Sequence, residues 1–309
     1  MTQKNVQLQQ AGADAPLVGM VGLGIMGGAM ARNLVAQGFT VLGYDPEPAR
    51  CAEAAAHGVE VLPTAAAVAA RADIILATLP SGKALEVTAD AVASEPARRP
   101  GLIVAELSTL SLESKLAARD RLAAADVTLL DCALSGTGPQ AVTGDIAVYA
   151  SGDAAACARC RGVFNGFSRT HFYLGAFGNG TKTKFVANLM VAIHNVAAAE
   201  AVVLAKRAGL DLSTLRDVIA SGGGTSRMFE VRAPLMVTDT YVPPTMKLDL
   251  WQKDMALIGA FAESLGVYTP LFSATAPLYQ EAILDGRGHE DTAAVCAVIE
   301  HHSRPASAP

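Results

Sequence analysis

From Pro16 to about Gly175 short apolar runs rich in β-branched residues alternate with longer Ala/Leu/Glu/Arg segments of helical period. The runs are PLVGMVGLG, FTVLGYD, DIILATLP, LIVAELST and VTLLDCAL, with DIAVYASG and HFYLG as two shorter ones at the end. Runs that are apolar throughout, rather than at every second residue, predict strands of a parallel sheet buried on both faces. Segments such as Met26–Gln37 and Ser111–Ala124 supply the covering helices. After Gly180 the strand signals stop. Thr181–Arg207 predicts one helix of roughly 40 Å at ~1.5 Å per residue, ended by Gly209. Ser213 is the expected N-cap of the next helix. Leu248, Trp251, Met255, Ile258, Ala262 and Leu265 recur at three- and four-residue steps, which predicts an amphipathic helix over Lys247–Leu265. Thr269-Pro270 has the N-cap/N1 arrangement that opens another.

The expected fold class is therefore α/β, a doubly wound parallel sheet followed by an all-α domain, the two joined through a long interdomain helix. The expected domains are a disordered tail over 1–15, a sheet domain over 16–176, a helical domain over 177–302, and a second disordered tail over 303–309.

Composition narrows the function. At 309 residues and 51% hydrophobic the chain has material for two cores. A formal net charge of −5 and the lack of a long Lys/Arg block argue against a nucleic-acid partner. The polar stretch MTQKNVQLQQAGADAP is not a secretory signal. Phe185–Ala205 is the most membrane-like segment, but Asn188, His194, Asn195 and Glu200 would be costly in lipid, so a buried helix and no membrane partner are expected. The five cysteines lack framework spacing. Cys157 and Cys160, in CARC, read as ordinary semi-buried thiols of a reduced, cytoplasmic protein, with no metal implied.

Two glycine-rich stretches carry the chemistry. MVGLGIMGGAMARNL sets Gly22, Gly24 and Gly27 in a G-x-G-x-x-G pattern, with Leu23, Ile25 and Met26 between them, after the first strand and at the start of a helix. In that context Gly22 allows a tight turn, Gly24 lets backbone N–H groups approach a pyrophosphate, and Gly27 lets helix and strand pack closely. The helix N-terminus adds partial positive charge. This is the dinucleotide fingerprint of a Rossmann-type fold. Asp45 ends the second strand, where a carboxylate accepts from the adenosine ribose and repels a 2′-phosphate. NAD is favoured, with NADP possible because Arg50 offers a nearby cation.

The second stretch, FGNGTKTKFVANLM, places Lys184 and Asn188 one turn apart on a helix otherwise built of Phe, Val, Ala and Leu. Hydride transfer at an alcohol carbon needs a group that takes the hydroxyl proton. Lys184 is the candidate, in the first turn of the interdomain helix, where burial and the helix end would lower its pKa. The other reading is a snorkelling lysine with an amide partner. Asn188 either positions a substrate oxygen or holds the amine. His171 starts a strand and His194 lies well down the long helix, so structural roles are expected for both. In DCALSGTGPQAVTGD, Ser135 and Thr137 offer hydroxyls and backbone N–H groups after a strand end, either as a nest for a carboxylate or as an ordinary turn.

These stretches resemble the β-hydroxyacid dehydrogenase family, which includes 3-hydroxyisobutyrate dehydrogenase, tartronate semialdehyde reductase and threonate dehydrogenases. The likeness spans about Val18 to Glu300 and rests on GLGIMGGAMARNL, DCALSGTGPQAVTGDIAVYASGD, GNGTKTKFVANL and WQKDMALIGAFAESLGVYTPL in that order. It implies an NAD(P)-dependent oxidoreductase acting on a short 3-hydroxy acid or its semialdehyde, such as 3-hydroxyisobutyrate, glycerate or a threonate-type sugar acid. It also implies that Lys184 is the general acid/base and Asn188 its substrate-orienting partner. Ser135, Gly136 and Thr137 would bind the substrate carboxylate. Lys253 would contact both substrate and cofactor. Thr109 would lie by the nicotinamide, and Leu79 and Pro80 would line the cofactor cleft. The resemblance further implies a homodimer or homotetramer. Two positions depart from the family pattern: Thr137 stands where Gly is usual, and Ala187 stands where the first of two Asn is usual. The alternative is a non-catalytic dinucleotide-binding module or an imine reductase-like relative, and retention of Lys184 argues against both. Arg227 and Phe229 are further candidates for selecting a larger polar substrate.

Overall fold

The computed structural model describes Gly12 and residues 15–303, so the tails expected at 1–15 and 303–309 lie almost wholly outside the described residues. The chain divides into two compact units, one ending at Lys184 and the other beginning at Phe185.

In the first unit β1 (Val18–Val21), β2 (Val41–Tyr44), β3 (Glu60–Val61), β4 (Ile74–Ala77), β5 (Ile103–Glu106), β6 (Thr128–Ser135), β7 (Ala147–Ser151) and β8 (Thr170–Tyr173) form one sheet. Its order is β3-β2-β1-β4-β5-β6-β7-β8. Every neighbouring pair is parallel except β6 and β7, which run antiparallel with Asp131 opposite Ser151. The connection through residues 136–146 is shorter than the dozen or so residues a parallel crossover needs, so the chain turns back on itself. That one pair departs from the parallel pattern of the rest.

The helices of this unit are α1 (Ile25–Ala36), α2 (Pro48–Ala56), α3 (Ala65–Ala69), α4 (Gly82–Ser94), α5 (Leu112–Ala123), α6 (Gly138–Val142) and α7 (Ala154–Asn165). Successive strand residues point to opposite faces. Ile74 and Leu76 join a core with Met30 and Leu34 of α1 and Phe164 of α7, while Ile75 and Ala77 join a second core with Val68, Leu85 and Leu122 of α3, α4 and α5. Each such large apolar side chain contributes roughly 1.5–3 kcal/mol relative to exposure. The strand order reverses direction between β1 and β4, and ligands of open α/β sheets bind at such a point.

Helix α8 (Asn179–Arg207) begins two residues earlier than Thr181, the expected start. It continues into the second unit, which also holds α9 (Leu212–Ala220), α10 (Arg227–Val237), α11 (Leu248–Ser264), α12 (Pro270–Ala282) and α13 (Val295–His302). Asp211, not Ser213, caps α9. Its Oδ2 accepts the Thr214 N–H at 2.9 Å, and Ser213 donates its hydroxyl to the same oxygen. Along α11, Leu248, Trp251, Met255, Ile258 and Ala262 are buried, but Leu265 is 61% exposed because the helix ends before it. The core of this unit gathers Phe185, Val202, Phe229, Met236, Trp251, Ile258, Phe272 and Tyr279. Helix α8 is long and apolar enough to cross a membrane by length and composition, and 44% of its apolar window is buried. Its Asn195 is buried and donates to Tyr279 Oη and to Thr292 O, both at 2.9 Å.

Candidate active site

The end of β1 forms a cradle that only glycine fits. Gly22 sits at φ +91°, and a Cβ there would lie 2.1 Å from Thr78 O. On Gly27 a Cβ would lie 1.9 Å from Gly22 O. The Thr78 hydroxyl donates to Gly22 O at 2.7 Å and fixes the turn against the end of β4. Gly24 is the N-cap of α1 with no capping side chain, and the first turn holds no acid. The first amides of α1 are left for an external acceptor at a positive helix end. A dinucleotide pyrophosphate fits such a site.

Asp45 follows β2 and is 5% exposed. Its Oδ2 accepts the Leu23 N–H at 2.7 Å and its Oδ1 the Glu47 N–H at 2.9 Å. The carboxylate thus holds the glycine turn itself, a duty the sequence reading did not give it. Arg50 Nη1 lies 3.5 Å from Asp45 Oδ2, and a Cβ on Gly24 would come within 3.3 Å of the same nitrogen, so the guanidinium rests against the cradle.

Beyond β4 and β5, Ser108 ties two loops together. Its hydroxyl accepts the Leu79 N–H at 2.7 Å, and its own N–H donates to Glu106 Oε1 at 2.9 Å. Pro80 is exposed, and Leu79 and Thr109 are half-buried. Beneath this loop lies a cluster that sequence reasoning missed. Lys115 of α5 is wholly buried, with Nζ 2.6 Å from Glu106 Oε2 and 2.8 Å from Asp131 Oδ1, and it donates to Ser108 O at 2.8 Å. Burial alone lowers the pKa of an ammonium. The carboxylates of Glu106 and Asp131 outweigh that and push it up to about 12. The available signal was a lysine on the buried stripe of α5, in line with Ala118 and Leu122.

Asp131 in turn receives the start of α8. Thr181 donates its N–H to Asp131 Oδ2 at 2.7 Å and its hydroxyl to Oδ1 at 2.8 Å. The Gly180 N–H donates to Ser151 Oγ at 2.9 Å. A Cβ on Gly180 would lie 2.3 Å from Tyr149 O, so glycine lets the helix end dock on β6 and β7. Because α8 starts at Asn179, Lys184 falls in the second turn rather than the first, beyond the strongest effect of the helix end. It is half-buried, not enclosed as expected.

At the end of β6, Ser135, Gly136 and Thr137 are half-buried. Gly136 sits at φ +143°, and a Cβ there would lie 2.5 Å from Ile146 Cγ2. Thr137 is the N-cap of α6. It donates its N–H and its hydroxyl to Gln140 Oε1 at 3.0 and 3.1 Å, which closes the start of α6. Ser135 makes no side-chain hydrogen bond among the described residues.

In the second unit Asn188 is 5% exposed and donates to Asp254 Oδ2 at 2.9 Å. Asp254 thereby orients the amide. The K-D pair in the sequence pointed to Asp254, but the reading carried only Lys253. Lys253 Nζ lies 3.7 Å from Asp254 Oδ1 and is about half exposed. Phe229 is 3% exposed within the helical core, and Arg227 pairs with Glu230 at 3.0 Å.

Residues 17–175 match the family model for the NAD binding domain of 6-phosphogluconate dehydrogenase. Residues 178–299 match the model for the NAD-binding domain of NADP-dependent 3-hydroxyisobutyrate dehydrogenase. Glyoxylate/succinic semialdehyde reductase 1 of Arabidopsis thaliana is 31% identical over 92% of this chain and 98% of its own length. An L-threonate dehydrogenase of Cupriavidus necator is 30% identical over 94% of this chain and 98% of its own. The solved structure of Mycobacterium tuberculosis 3-hydroxyisobutyrate dehydrogenase with L-serine aligns at a TM-score of 0.84 and 29% identity, covering 92% of this chain and 99% of that one.

Proposed function

This chain belongs to the β-hydroxyacid dehydrogenase family, NAD(P)-dependent oxidoreductases acting on CH–OH groups, and from that premise we propose its substrate class and the residues that act on it. The substrate is a short 3-hydroxy acid, converted reversibly to its semialdehyde. Lys184 Nζ takes the hydroxyl proton in oxidation and returns it in reduction. Ser135 Oγ, the Gly136 backbone and Thr137 bind the carboxylate, with Thr137 held at the turn by Gln140. The backbone from Gly22 to Gly27 holds the pyrophosphate, while Leu79, Pro80 and Thr109 line the nicotinamide side. Bound there, the nicotinamide supplies the acceptor or donor of hydride. Asn188 and Lys253 are assigned to substrate handling on sequence grounds alone.

One observation carries this reading. Strands β1, β4, β5 and β6 are parallel neighbours, so their carboxyl ends share one edge of the sheet. That edge bears the glycine cradle, the Leu79-Pro80 and Thr109 loops and the Ser135 turn, and the start of α8 is bonded to Asp131 beside it. NAD is favoured over NADP. Each Asp45 oxygen keeps a lone pair beyond its backbone bond, and a buried negative charge opposes a 2′-phosphate. Arg50 is the counterweight.

The test is a panel of 3-hydroxyisobutyrate, glycerate and threonate with NAD and NADP in parallel, with the matching semialdehydes in reverse, followed by reduced-nicotinamide absorbance. Turnover of at least one pair is expected. Binding of dinucleotide with no turnover in either direction would leave the non-catalytic reading in its place.

A further inference from the structure

The proposed chemistry gives no part to the buried charged cluster of Lys115, Glu106 and Asp131. Glu106 and Asp131 are direct partners in the β5–β6 register, both at 0% exposure. Two acidic side chains side by side out of water call for a cation between them. Lys115 is that cation. Its Nζ donates to Asp131 Oδ1 and to Ser108 O, both at 2.8 Å, and forms an ion pair with Glu106 Oε2 at 2.6 Å, so the ammonium is fully engaged in the cluster. A buried ion cluster is a poor way to gain stability, since apolar side chains of similar volume often do as well. It does specify geometry. Asp131 accepts the Thr181 N–H and hydroxyl, and Ser151, which accepts the Gly180 N–H, donates its own hydroxyl to Asp131 O at 3.1 Å. Two amides of the first turn of α8 therefore end on this cluster, three to four residues before Lys184. On its other side the cluster holds Ser108, and through it the Leu79 N–H.

We propose that Lys115 is a positioning residue: by locking Glu106 and Asp131 it fixes the start of α8, and with it Lys184, relative to the loops that follow β4 and β5. Its effect on turnover rests on the role proposed for Lys184. Its effect on the helix start does not, and can be read without substrate.

The experiment compares wild type, Lys115→Met and the double variant Lys115→Met/Glu106→Gln. Amide hydrogen exchange is measured without dinucleotide, and kcat is measured on the best substrate of the panel. In Lys115→Met the Gly180 and Thr181 amides should exchange about 10-fold faster or more, while those of β1 and β4 keep their protection. Turnover should fall by about 10- to 100-fold, the scale of an ångström-sized misplacement. Adding Glu106→Gln removes the like-charge pair and leaves Asp131 free to hold Thr181, so protection and most of kcat should return. A general loosening of the sheet, unchanged exchange at Gly180 and Thr181, or a double variant no better than the single one would overturn the assignment. If Lys115→Met does not fold, the double variant decides: protected Gly180 and Thr181 amides support the role, and unprotected ones refute it. A wild type inert towards the whole panel would sink the dehydrogenase reading while the exchange data still judge Lys115.

Discussion

Lys184 was legible in the sequence because a lone ammonium among Phe, Val, Ala and Leu needs a reason. What holds the start of its helix was not legible, because Asp131, Ser151 and Lys115 lie far from it along the chain: the first two meet through β-sheet register, and Lys115 reaches Asp131 from α5. Asp45 was found by its place after β2, yet its bonds to the Leu23 and Glu47 amides show a second task. Asp45→Asn keeps an acceptor and removes the charge. It should raise the kcat/KM ratio of NADP to NAD and cost about 1–3 kcal/mol of stability for the weakened turn. Steady-state kinetics with both cofactors checks the first, and an unchanged ratio counts against the ribose contact. Gly27→Ala should weaken dinucleotide binding sharply, since its Cβ would strike the Gly22 carbonyl at 1.9 Å. Fluorescence titration with NADH reads this directly, and a wild-type Kd would contradict the cradle.

Among elements, continuous apolar runs revealed the parallel strands, the 3.6-residue period revealed α11, the end of strand signals and Gly209 framed α8, and Thr269-Pro270 marked the start of α12. β3, two residues long, left no pattern, and the antiparallel β7 follows from the length of a connection rather than from its composition. Two helix starts differ from expectation: α8 is held by Asp131 and Ser151, which lie far from it in the chain, and α9 is capped by Asp211, two residues before Ser213. Gly180→Ala tests the docking of α8. A Cβ set 2.3 Å from the Tyr149 carbonyl must push the helix start away, at a cost of about 1–3 kcal/mol, with kcat reduced more than substrate KM. In the second unit Arg232 and Asp291 are a buried pair with Nη1–Oδ1 at 2.5 Å. Arg232→Leu leaves Asp291 buried without its cation and should cost about 3–5 kcal/mol by urea denaturation.

At the scale of the molecule, several buried groups hold their protons more tightly when folded. Burial pushes the thiols of Cys157 and Cys296 up from 9.0 to about 11 and that of Cys160 to about 12. Lys115, pulled down by burial but lifted more by its two carboxylates, moves from 10.5 to about 12. A folded pKa above the unfolded one means stability present in full below the unfolded value and lost as pH rises through the folded one. Urea midpoints should therefore hold to about pH 8.5 and fall steadily from pH 9 to 11; a midpoint that rises across that range would contradict the buried, protonated state of these groups. The central claim, that a β-hydroxyacid dehydrogenase works here through the Lys184 amine, meets its most direct test in Lys184→Ala. With an unchanged circular dichroism spectrum and NADH affinity, kcat should fall by about 100-fold or more; turnover within a few-fold of wild type would remove Lys184 from the chemistry.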